Sequence, residues 1–189
     1  MLKSIILASQ SPRRRELMLL LNIPFSSENP QIEEELDPSL PLVKAIEKIA
    51  IDKALDVFQH HPKSIVIGSD TVVVIDDVIL GKPIDNEDAI RMLDLLSGKT
   101  HKVITGVCMI SDKEKVVFHS ISKVTFYPLT DAMIKSYVAS NLPLDKAGAY
   151  GIQDRGALFI KSISGDYYTI MGLPIAEVSR RLRLMDGGS

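Results

Sequence analysis

The sequence predicts an α/β fold in which helices flank a mixed sheet. Short β-prone runs alternate with amphipathic segments through the first half of the chain. Long β-branched runs joined by a polar turn follow from Lys102 onward and are typical of antiparallel strands. Parallel and antiparallel pieces in one chain indicate a mixed sheet. With 189 residues, 46% hydrophobic composition and no long linker, one domain over residues 1–189 is expected.

The first half is predicted to alternate strands and helices. A β-prone run at 5–7 precedes a helix at 12–21. Apolar residues at helical spacing predict an amphipathic helix over 41–58. Residues 64–80 are predicted to form two strands that turn at Asp76-Asp77. A helix over 86–96 is then expected, with Asp85 or Asn86 as its N-cap and Gly98 as its end.

The second half is predicted to be richer in antiparallel strands. Residues 102–110 and 115–127 form one expected pair, joined by a polar turn at 112–114. A helix is expected at 130–140, and a second hairpin would pair 158–163 with 167–170 around Ser164-Gly165-Asp166. The final helix is predicted over 174–184.

Composition excludes several classes of protein. The 22 basic and 24 acidic residues give a net charge of −2, which argues against a protein that coats nucleic acid. The single cysteine, Cys108, forms no intrachain disulfide, which fits a reducing compartment. The longest apolar runs are too short to cross a bilayer. We therefore expect a cytoplasmic protein with neither a nucleic-acid nor a membrane partner.

An arginine-rich turn follows the first predicted strand, in the run Ser9-Gln10-Ser11-Pro12-Arg13-Arg14-Arg15. Ser11 is a good helix N-cap, and Pro12 suits the first helical position. The arginines that follow oppose the helix dipole, which favours acids there by about 0.3–1 kcal/mol per charge. Backbone N–H groups and guanidinium groups at this end would suit a phosphate chain. The alternative is a surface basic turn that pairs with acids of the run Glu33–Glu35.

Asp70 is predicted to lie at the end of a buried apolar strand, in the run IVIGSDT. Open α/β folds place catalytic groups at such positions. The carboxylate could bind a divalent metal, activate a water molecule or cap a turn, and the pattern alone leaves all three open. A phosphatase of the haloacid-dehalogenase type needs a second Asp two residues later, where this chain has Val72, so that class is disfavoured.

Two lysine-containing turns need separate interpretations. Gly81-Lys82-Pro83 follows a strand, and its ammonium group could contact a phosphate or simply face solvent. Gly98-Lys99-Thr100 imitates the end of a phosphate-binding P-loop. However, Leu93 stands where a P-loop needs glycine, and the tripeptide follows a helix rather than a strand. We therefore interpret it as a helix end and a strand entry.

Three further features carry weaker signals. The segment DKAGAYGIQ, residues 145–153, has small residues that a ligand could approach closely, and Gln153 could read a base edge. The run Glu33–Glu35 is typical of a solvated loop, although a metal-dependent phosphate enzyme needs such carboxylates. Lys53 has no partner visible in the sequence, and a solvated lysine is its default interpretation.

In this order, these segments closely resemble the Maf family of nucleoside triphosphate pyrophosphatases. The similarity covers nearly the whole chain and rests on ILASQSPRRREL, IEEE, IGSDTVVV, LGKP, MLDLLSGKTHKVITGV, DKAGAYGIQ and GDYYTIMGLP. It implies a mixed, twisted sheet in two lobes around a central cleft, as in inosine triphosphatases, and often a homodimer. One departure is Leu142-Pro143, where the family commonly has Glu-Pro.

The resemblance implies that the protein hydrolyses a nucleoside triphosphate to the monophosphate and pyrophosphate. Phosphate-binding positions of the family are matched by Ser9, Arg13, Arg14, Lys53 and Lys82. Positions associated with base choice are matched by Arg13, Thr71 and Gln153. The GIQ form of the last motif resembles the subgroup that prefers dTTP and UTP, including some modified pyrimidine nucleotides. The loop that carries it would close over the base.

The resemblance also implies a divalent cation, Mg²⁺ or Mn²⁺. Asp70 matches the proposed general base, and Glu34 matches an acidic position that acts with the metal. The alternative function is a nucleotide-binding regulatory module that acts in cell division through a partner, without significant turnover. The presence of Asp70 favours the enzyme, because a protein that only binds nucleotide has no need of this carboxylate.

Overall fold

The computed structural model describes residues 3–185. Within that range the strands are β1 (Ile5–Ala8), β2 (Phe25–Glu28), β3 (Ile65–Ile75), β4 (Val78–Leu80), β5 (Thr100–Ile110), β6 (Lys115–Phe126) and β7 (Ile160–Ser164). The α-helices are α1 (Pro12–Leu19), α2 (Leu42–His60), α3 (Asn86–Leu96), α4 (Asp131–Val138), α5 (Tyr167–Met171) and α6 (Ile175–Met185). Short 3-10 helices occupy Leu142–Asp145, Ala147–Ala149 and Arg155–Phe159.

The strands form one mixed sheet, as the sequence predicts. Its order is β2-β1-β3-β5-β6-β7, and β4 pairs with β3 outside this path. β1 runs parallel to both of its neighbours, with Ala8 opposite Glu28 on β2 and Gly68 on β3. β4 is antiparallel to β3 across the predicted turn at Asp76-Asp77, and β7 is antiparallel to β6.

The described chain divides into two compact units. The first contains residues 3–70, 105–120 and 172–185, and the second contains residues 71–104 and 121–171. The expectations of a single domain over 1–189 and of a central cleft between lobes stay predictions. Among residues 3–185, no helix has the length and apolar character needed to cross a membrane.

In the first unit, α2 packs on the sheet through the apolar face that its spacing predicts. Ala50, Ala54 and Val57 are fully buried, in a cluster that also contains Val66 of β3. Gly68 permits the close approach, because a Cβ there would lie 2.7 Å from the backbone nitrogen of Ala54. The distance between α2 and β3 is therefore set by a glycine.

The second unit has an aromatic core under α3 and α4. Phe126, Tyr137 and Phe159 are buried, and the rings of Tyr137 and Phe159 meet edge to face at 5.0 Å. Asp85 caps α3 by accepting a hydrogen bond from Asp88 N at 2.7 Å, and Gly98 follows the helix with a φ of +68°. These findings confirm the predicted N-cap and helix end, and with them the rejection of a P-loop at Gly98-Lys99-Thr100.

The predicted hairpin around Ser164-Gly165-Asp166 is wrong. β7 pairs with β6, while residues 167–171 form the helix α5. The reason is Asp166, whose Oδ2 accepts hydrogen bonds of 2.8 Å from both the backbone N and the Oγ1 of Thr169. A carboxylate that accepts from the residue three positions later is the signature of a helix N-terminus, and this local bond outweighs the β propensity of the tyrosines and Ile170.

Candidate active site

A buried lysine joins two carboxylates in the first unit. Lys53 Nζ lies 2.8 Å from Oδ1 of Asp70 and 3.0 Å from Oε1 of Glu34. Only 5% of the Lys53 side chain is exposed, against 11% for Asp70 and 47% for Glu34. Charges buried to this degree need opposite charges beside them, so the three side chains form one electrostatic group. The default interpretation of Lys53 as a solvated lysine is wrong.

The side chains of Glu34, Lys53 and Asp70 come from three different parts of the chain. Lys53 lies on α2, one residue before Ala54. The backbone nitrogen of Ala54 would lie only 2.7 Å from a Cβ placed at Gly68, so α2 and β3 are in close contact here. Asp70 lies two residues after that glycine, in the middle of β3. The expectation that Asp70 ends a strand is wrong, because the apolar run TVVVI continues the same strand to Ile75. Glu34 comes from the irregular segment between β2 and α2.

The arginine-rich turn is held at the same group. Ser11 caps α1 by accepting from Arg14 N at 3.5 Å, with Pro12 at the first position, as the sequence predicts. Arg14 Nε donates to the carbonyl oxygen of Gly172 at 2.7 Å, and its Nη1 lies 3.4 Å from Oγ of Ser9. These bonds connect the start of α1 with the segment that precedes α6.

Charges around Arg14 identify its electrostatic neighbours. Burial lowers the pKa of its guanidinium, while the carboxylates of Asp70 and Glu34 raise it and the adjacent Arg13 lowers it. Arg13 is half-buried in the first turn of α1. The turn therefore lies beside the Lys53 group, and Arg14, like Arg13, is half-buried there. Of the acids in the alternative interpretation, Glu34 acts on Arg14 and also pairs with Lys53, so the sequence-based alternative stays a prediction.

The remaining predicted site residues belong to the second unit. Thr71 follows Asp70 along β3 and is half-buried, whereas Lys82 and Gln153 are exposed. The backbone N of Gly148 donates to the carbonyl oxygen of Gly81 at 3.0 Å. This bond fastens the turn that bears Lys82 to the DKAGAYGIQ segment. The structure thus groups Ser9, Arg13, Arg14, Glu34, Lys53 and Asp70 in the first unit, and Thr71, Lys82 and Gln153 in the second.

Two residues of the first site were missed by sequence reasoning. Ser69 is fully buried, and its Oγ lies 2.9 Å from the carbonyl oxygen of Gly172 and 3.1 Å from that of Gly106. Gly172, with a φ of +105°, turns its carbonyl toward both Ser69 and Arg14. The only sequence signal for these residues was the presence of Gly172 in GDYYTIMGLP. Every residue has a backbone carbonyl, so no residue type shows which carbonyl accepts hydrogen bonds from the site.

Glu34 and Asp70 are the candidate ligands for a divalent cation. Among residues 3–185, no group of three or more His, Cys, Asp or Glu side chains could hold a metal ion. Glu34 and Asp70 nevertheless converge on one point, the ammonium of Lys53. Mg²⁺ in phosphate-processing sites is commonly held by one or two carboxylates together with substrate phosphates. The residues therefore fit a cation that arrives with a phosphorylated substrate, and do not fit a structural zinc site.

The arrangement combines opposite charges in a way that suits phosphoryl chemistry. Arg13, Arg14 and Lys53 carry the positive charge that binding of an anionic chain would need, and Asp70 places a carboxylate oxygen beside Lys53. The family profile described as Maf-like protein matches residues 4–185. The chain belongs to the Maf-like family. The resemblance inferred from the sequence motifs is confirmed.

Relatives of this Maf-like chain are similar over almost their full length. A Bacillus cytotoxicus protein named dTTP/UTP pyrophosphatase is 47% identical over 188 residues, which cover 100% of this chain and 98% of that protein. Proteins of the same name from Bacillus mycoides and Bacillus pumilus are each 46% identical, over 185 and 181 residues. Those matches cover 98% and 96% of this chain, and 97% and 96% of the respective relatives.

Proposed function

We propose that this chain is a dTTP/UTP pyrophosphatase, which hydrolyses these nucleotides, and some modified pyrimidine nucleotides, to the nucleoside monophosphate and pyrophosphate. Such an activity clears unwanted nucleotides from the cell. The observation that carries the proposal is the Glu34–Lys53–Asp70 group beside Arg14, in a chain 47% identical to a protein named for this activity. Catalysis of phosphoryl transfer consists mainly of positioning and charge neutralisation, and this group supplies both.

The arginine-rich turn would hold the triphosphate. Arg13 and Arg14 lie in the first turn of α1, where backbone N–H groups point outward and the helix dipole favours an anion. The bond from Arg14 Nε to Gly172 fixes the guanidinium before substrate arrives. Ser9, 3.4 Å from Arg14 Nη1, would add a hydroxyl donor to the same phosphates. Preorganised donors of this kind stabilise charge that develops in the transition state.

Asp70 is the residue we assign as general base. Its carboxylate would accept a proton from the attacking water while the water oxygen bonds to phosphorus. The bridging P–O bond between the α- and β-phosphates breaks, and pyrophosphate leaves with the electron pair. Lys53 holds Asp70 Oδ1 at 2.8 Å and would offer its charge to the phosphates. The base is therefore oriented by a group that also favours binding of the anion.

Glu34 and Asp70 would hold the divalent cation. When bound there with substrate, Mg²⁺ or Mn²⁺ would neutralise phosphate charge and polarise the reacting phosphoryl group. Lys53 pairs with both Glu34 and Asp70, so it would keep these acids in place when no substrate is bound.

The second unit would select the base. Lys82 would contact the phosphates, while Thr71 and Gln153 would contact the nucleobase, as the family resemblance implies. Gln153 is exposed and can both donate and accept hydrogen bonds, which suits the edge of a pyrimidine. Leu142, at the place where the family commonly has Glu, lies in a 3-10 helix of the same unit.

The alternative of a regulatory module without turnover is not favoured. The relatives that match the full chain carry an enzyme's name, and Asp70, the carboxylate that we assign as general base, is buried in this chain. A module that only binds nucleotide gains nothing from a buried acid near the phosphates, because its negative charge opposes binding of an anion.

A panel of nucleoside triphosphates tests the proposal. The protein is incubated with Mg²⁺ and each common ribo- and deoxyribonucleoside triphosphate, and the products are separated. We expect monophosphate and pyrophosphate, fastest from dTTP and UTP, and no turnover in EDTA. Diphosphate with free phosphate would contradict the reaction class. Binding without turnover would support the regulatory module.

We further propose that the enzyme works in the cytoplasm as a homodimer. Burial raises the pKa of the Cys108 thiol to about 12, so this lone cysteine is unreactive and gives no sign of an oxidising compartment. The homodimer is supported by the family resemblance. Sedimentation of the purified chain across a concentration series tests it, and a single monomeric species would contradict it.

A further inference from the structure

Tyr137 of α4 ties together the two ends of the turn that bears Gln153. Its phenolic oxygen accepts a hydrogen bond from the backbone N of Gly151 at 3.1 Å and donates one to Oδ1 of Asp154 at 2.8 Å. Gly151 and Asp154 are the residues that enclose Ile152 and Gln153. One buried hydroxyl group therefore holds both flanks of this short segment.

Asp154 extends the same network along the chain. Its Oδ1 also accepts a hydrogen bond from Gly156 N at 2.7 Å, which starts the 3-10 helix over Arg155–Phe159. Its Oδ2 lies 3.4 Å from Nζ of Lys146, a lysine that is only 8% exposed. Lys146 in turn donates to the carbonyl oxygen of Leu142 at 2.5 Å. The carboxylate thus fixes the exit of the turn to two neighbouring segments.

Packing leaves this turn little freedom. A Cβ at Gly151 would lie 2.7 Å from Cε of Lys146 and would also overlap the carboxylate of Asp154. Tyr137 is 1% exposed, and its ring is fixed edge to face on Phe159. Burial, followed by the hydrogen bond to Asp154, raises the pKa of the Tyr137 phenol, which therefore stays a proton donor. Loss of the hydroxyl would remove the hydrogen bond from Gly151 N and the bond that joins it to Asp154, so the two flanks of the turn would no longer be tied to each other.

We propose that Tyr137 and Asp154 are positioning residues that determine base selectivity by holding the Gly151–Asp154 turn in one conformation. The inference rests on the proposed function, in which Gln153 contacts the nucleobase. Tyr137 is too deeply buried to touch a substrate, so it acts only through the turn. A base-reading amide discriminates between pyrimidines only when its donor and acceptor are held in a defined orientation, since the wrong base then leaves polar groups unpaired.

The test compares Tyr137→Phe and Asp154→Asn with the unmodified protein. Both changes keep the shape of the side chain and weaken the network at one atom. Tyr127→Phe is the matched control, because it removes a hydroxyl from a half-exposed tyrosine outside the network. Steady-state kinetics with dTTP and dCTP give KM, kcat and the ratio of kcat/KM for the two bases. Amide hydrogen exchange of Gly151 and Gly156, read by NMR, reports on the turn independently of turnover.

We expect both network variants to raise KM for dTTP about tenfold, to change kcat less than about twofold, and to lower the dTTP-to-dCTP ratio about tenfold. Faster exchange at Gly151 and Gly156 should accompany the change, and Tyr127→Phe should show neither effect. Folded variants that keep KM and the ratio would overturn the proposal, as would an equal loss of kcat on every nucleotide. If Tyr137→Phe does not fold, the KM, the dTTP-to-dCTP ratio and the amide exchange of Asp154→Asn decide whether the proposal holds.

Failure of the underlying function gives a different result. If the unmodified protein turns over no triphosphate, both the proposed function and the role in base selection are overturned. If the unmodified protein hydrolyses dTTP while the variants keep its selectivity, only the positioning role is overturned.

Discussion

The ammonium nitrogen of Lys53 lies 2.8 Å from Oδ1 of Asp70, and both residues are more than nine-tenths buried. The lysine comes from α2 and the aspartate from β3, so the pair depends on the contact between this helix and this strand. Glu34 adds a second carboxylate at 3.0 Å from the same nitrogen.

Asp70→Asn should leave the chain folded and remove most turnover. Asparagine keeps an oxygen that accepts from Lys53 but is a far weaker base, so kcat should fall about 10²–10⁴-fold. The measurement is pyrophosphate release from dTTP, with circular dichroism as the check on folding. Asp52→Asn, on the exposed face of α2, is the matched control and should keep full activity. Near-normal rates for Asp70→Asn would rule out the general-base assignment.

Lys53→Met should destabilise the protein, because it removes the buried ammonium group that pairs with both Glu34 and Asp70. Loss of one partner of a buried pair costs about 3–5 kcal/mol, and the partial exposure of Glu34 places this case at the lower end. Urea unfolding measures the loss. Lys48→Met breaks an exposed pair with Asp52 and should lower the free energy of unfolding far less than Lys53→Met does.

Magnesium should partly rescue Lys53→Met. A divalent cation held by Glu34 and Asp70 would replace the missing ammonium charge, so adding Mg²⁺ should raise Tm more for this variant than for the unmodified protein. Equal shifts in the two proteins would argue against a metal site at these carboxylates.

Gly68→Ala should disrupt the contact that brings Lys53 to Asp70. The added methyl group would lie 2.7 Å from Ala54 N, a backbone atom that moves only with the whole helix. Overpacking of this kind costs about 1–3 kcal/mol. Gly81→Ala is the control for the free energy of unfolding, because a Cβ there has no neighbour among the described residues within 4 Å. An unfolding free energy for Gly68→Ala equal to that of Gly81→Ala would show that the glycine does not set the helix position.

His101 should make the folded state sensitive to acid. The ring is 1% exposed, its Nε2 lies 2.8 Å from the hydroxyl of Tyr150, and burial lowers its pKa from 6.5 to about 4. The unfolded chain therefore binds a proton at a higher pH than the folded chain does. Stability present above pH 6.5 is lost as pH falls toward 4, by about 2–3 kcal/mol between pH 7 and pH 4.5.

Replacing both His101 and Tyr150 separates the contribution of His101 to acid sensitivity from that of other titrating groups. His101→Phe combined with Tyr150→Phe removes both polar partners, a change that keeps the ring packing and is close to neutral in cost. Urea unfolding at pH 7 and pH 4.5 should show a smaller loss for the double variant than for the unmodified protein. His60→Gln, on an exposed part of α2, should retain the full loss. Parallel pH profiles for the double variant and the unmodified protein would contradict the assignment.

Much of the fold follows from local sequence. The helix α2 shows its apolar face in the spacing of Ala50, Ala54 and Val57, and α3 shows its ends in Asp85 and Gly98. Two elements could not be predicted in this way. β2 has the sequence FSSE, which lacks alternating apolar residues, and becomes a strand through its pairing with β1. α5 depends on the cap at Asp166, whose bonds to Thr169 outweigh β propensity.

The sequence by itself determined most of the elements, the family and a set of candidate site residues, because helical spacing, caps and ordered motifs are written in neighbouring residues. The tertiary structure alone decided which charges meet. Lys53 has no partner along α2, and its two carboxylates come from a loop 19 residues earlier and a strand 17 residues later. Their meeting depends on the close approach at Gly68, and the anchoring of Arg14 depends on a backbone carbonyl at Gly172. Contacts of this kind arise from packing between distant segments, and no local pattern encodes them.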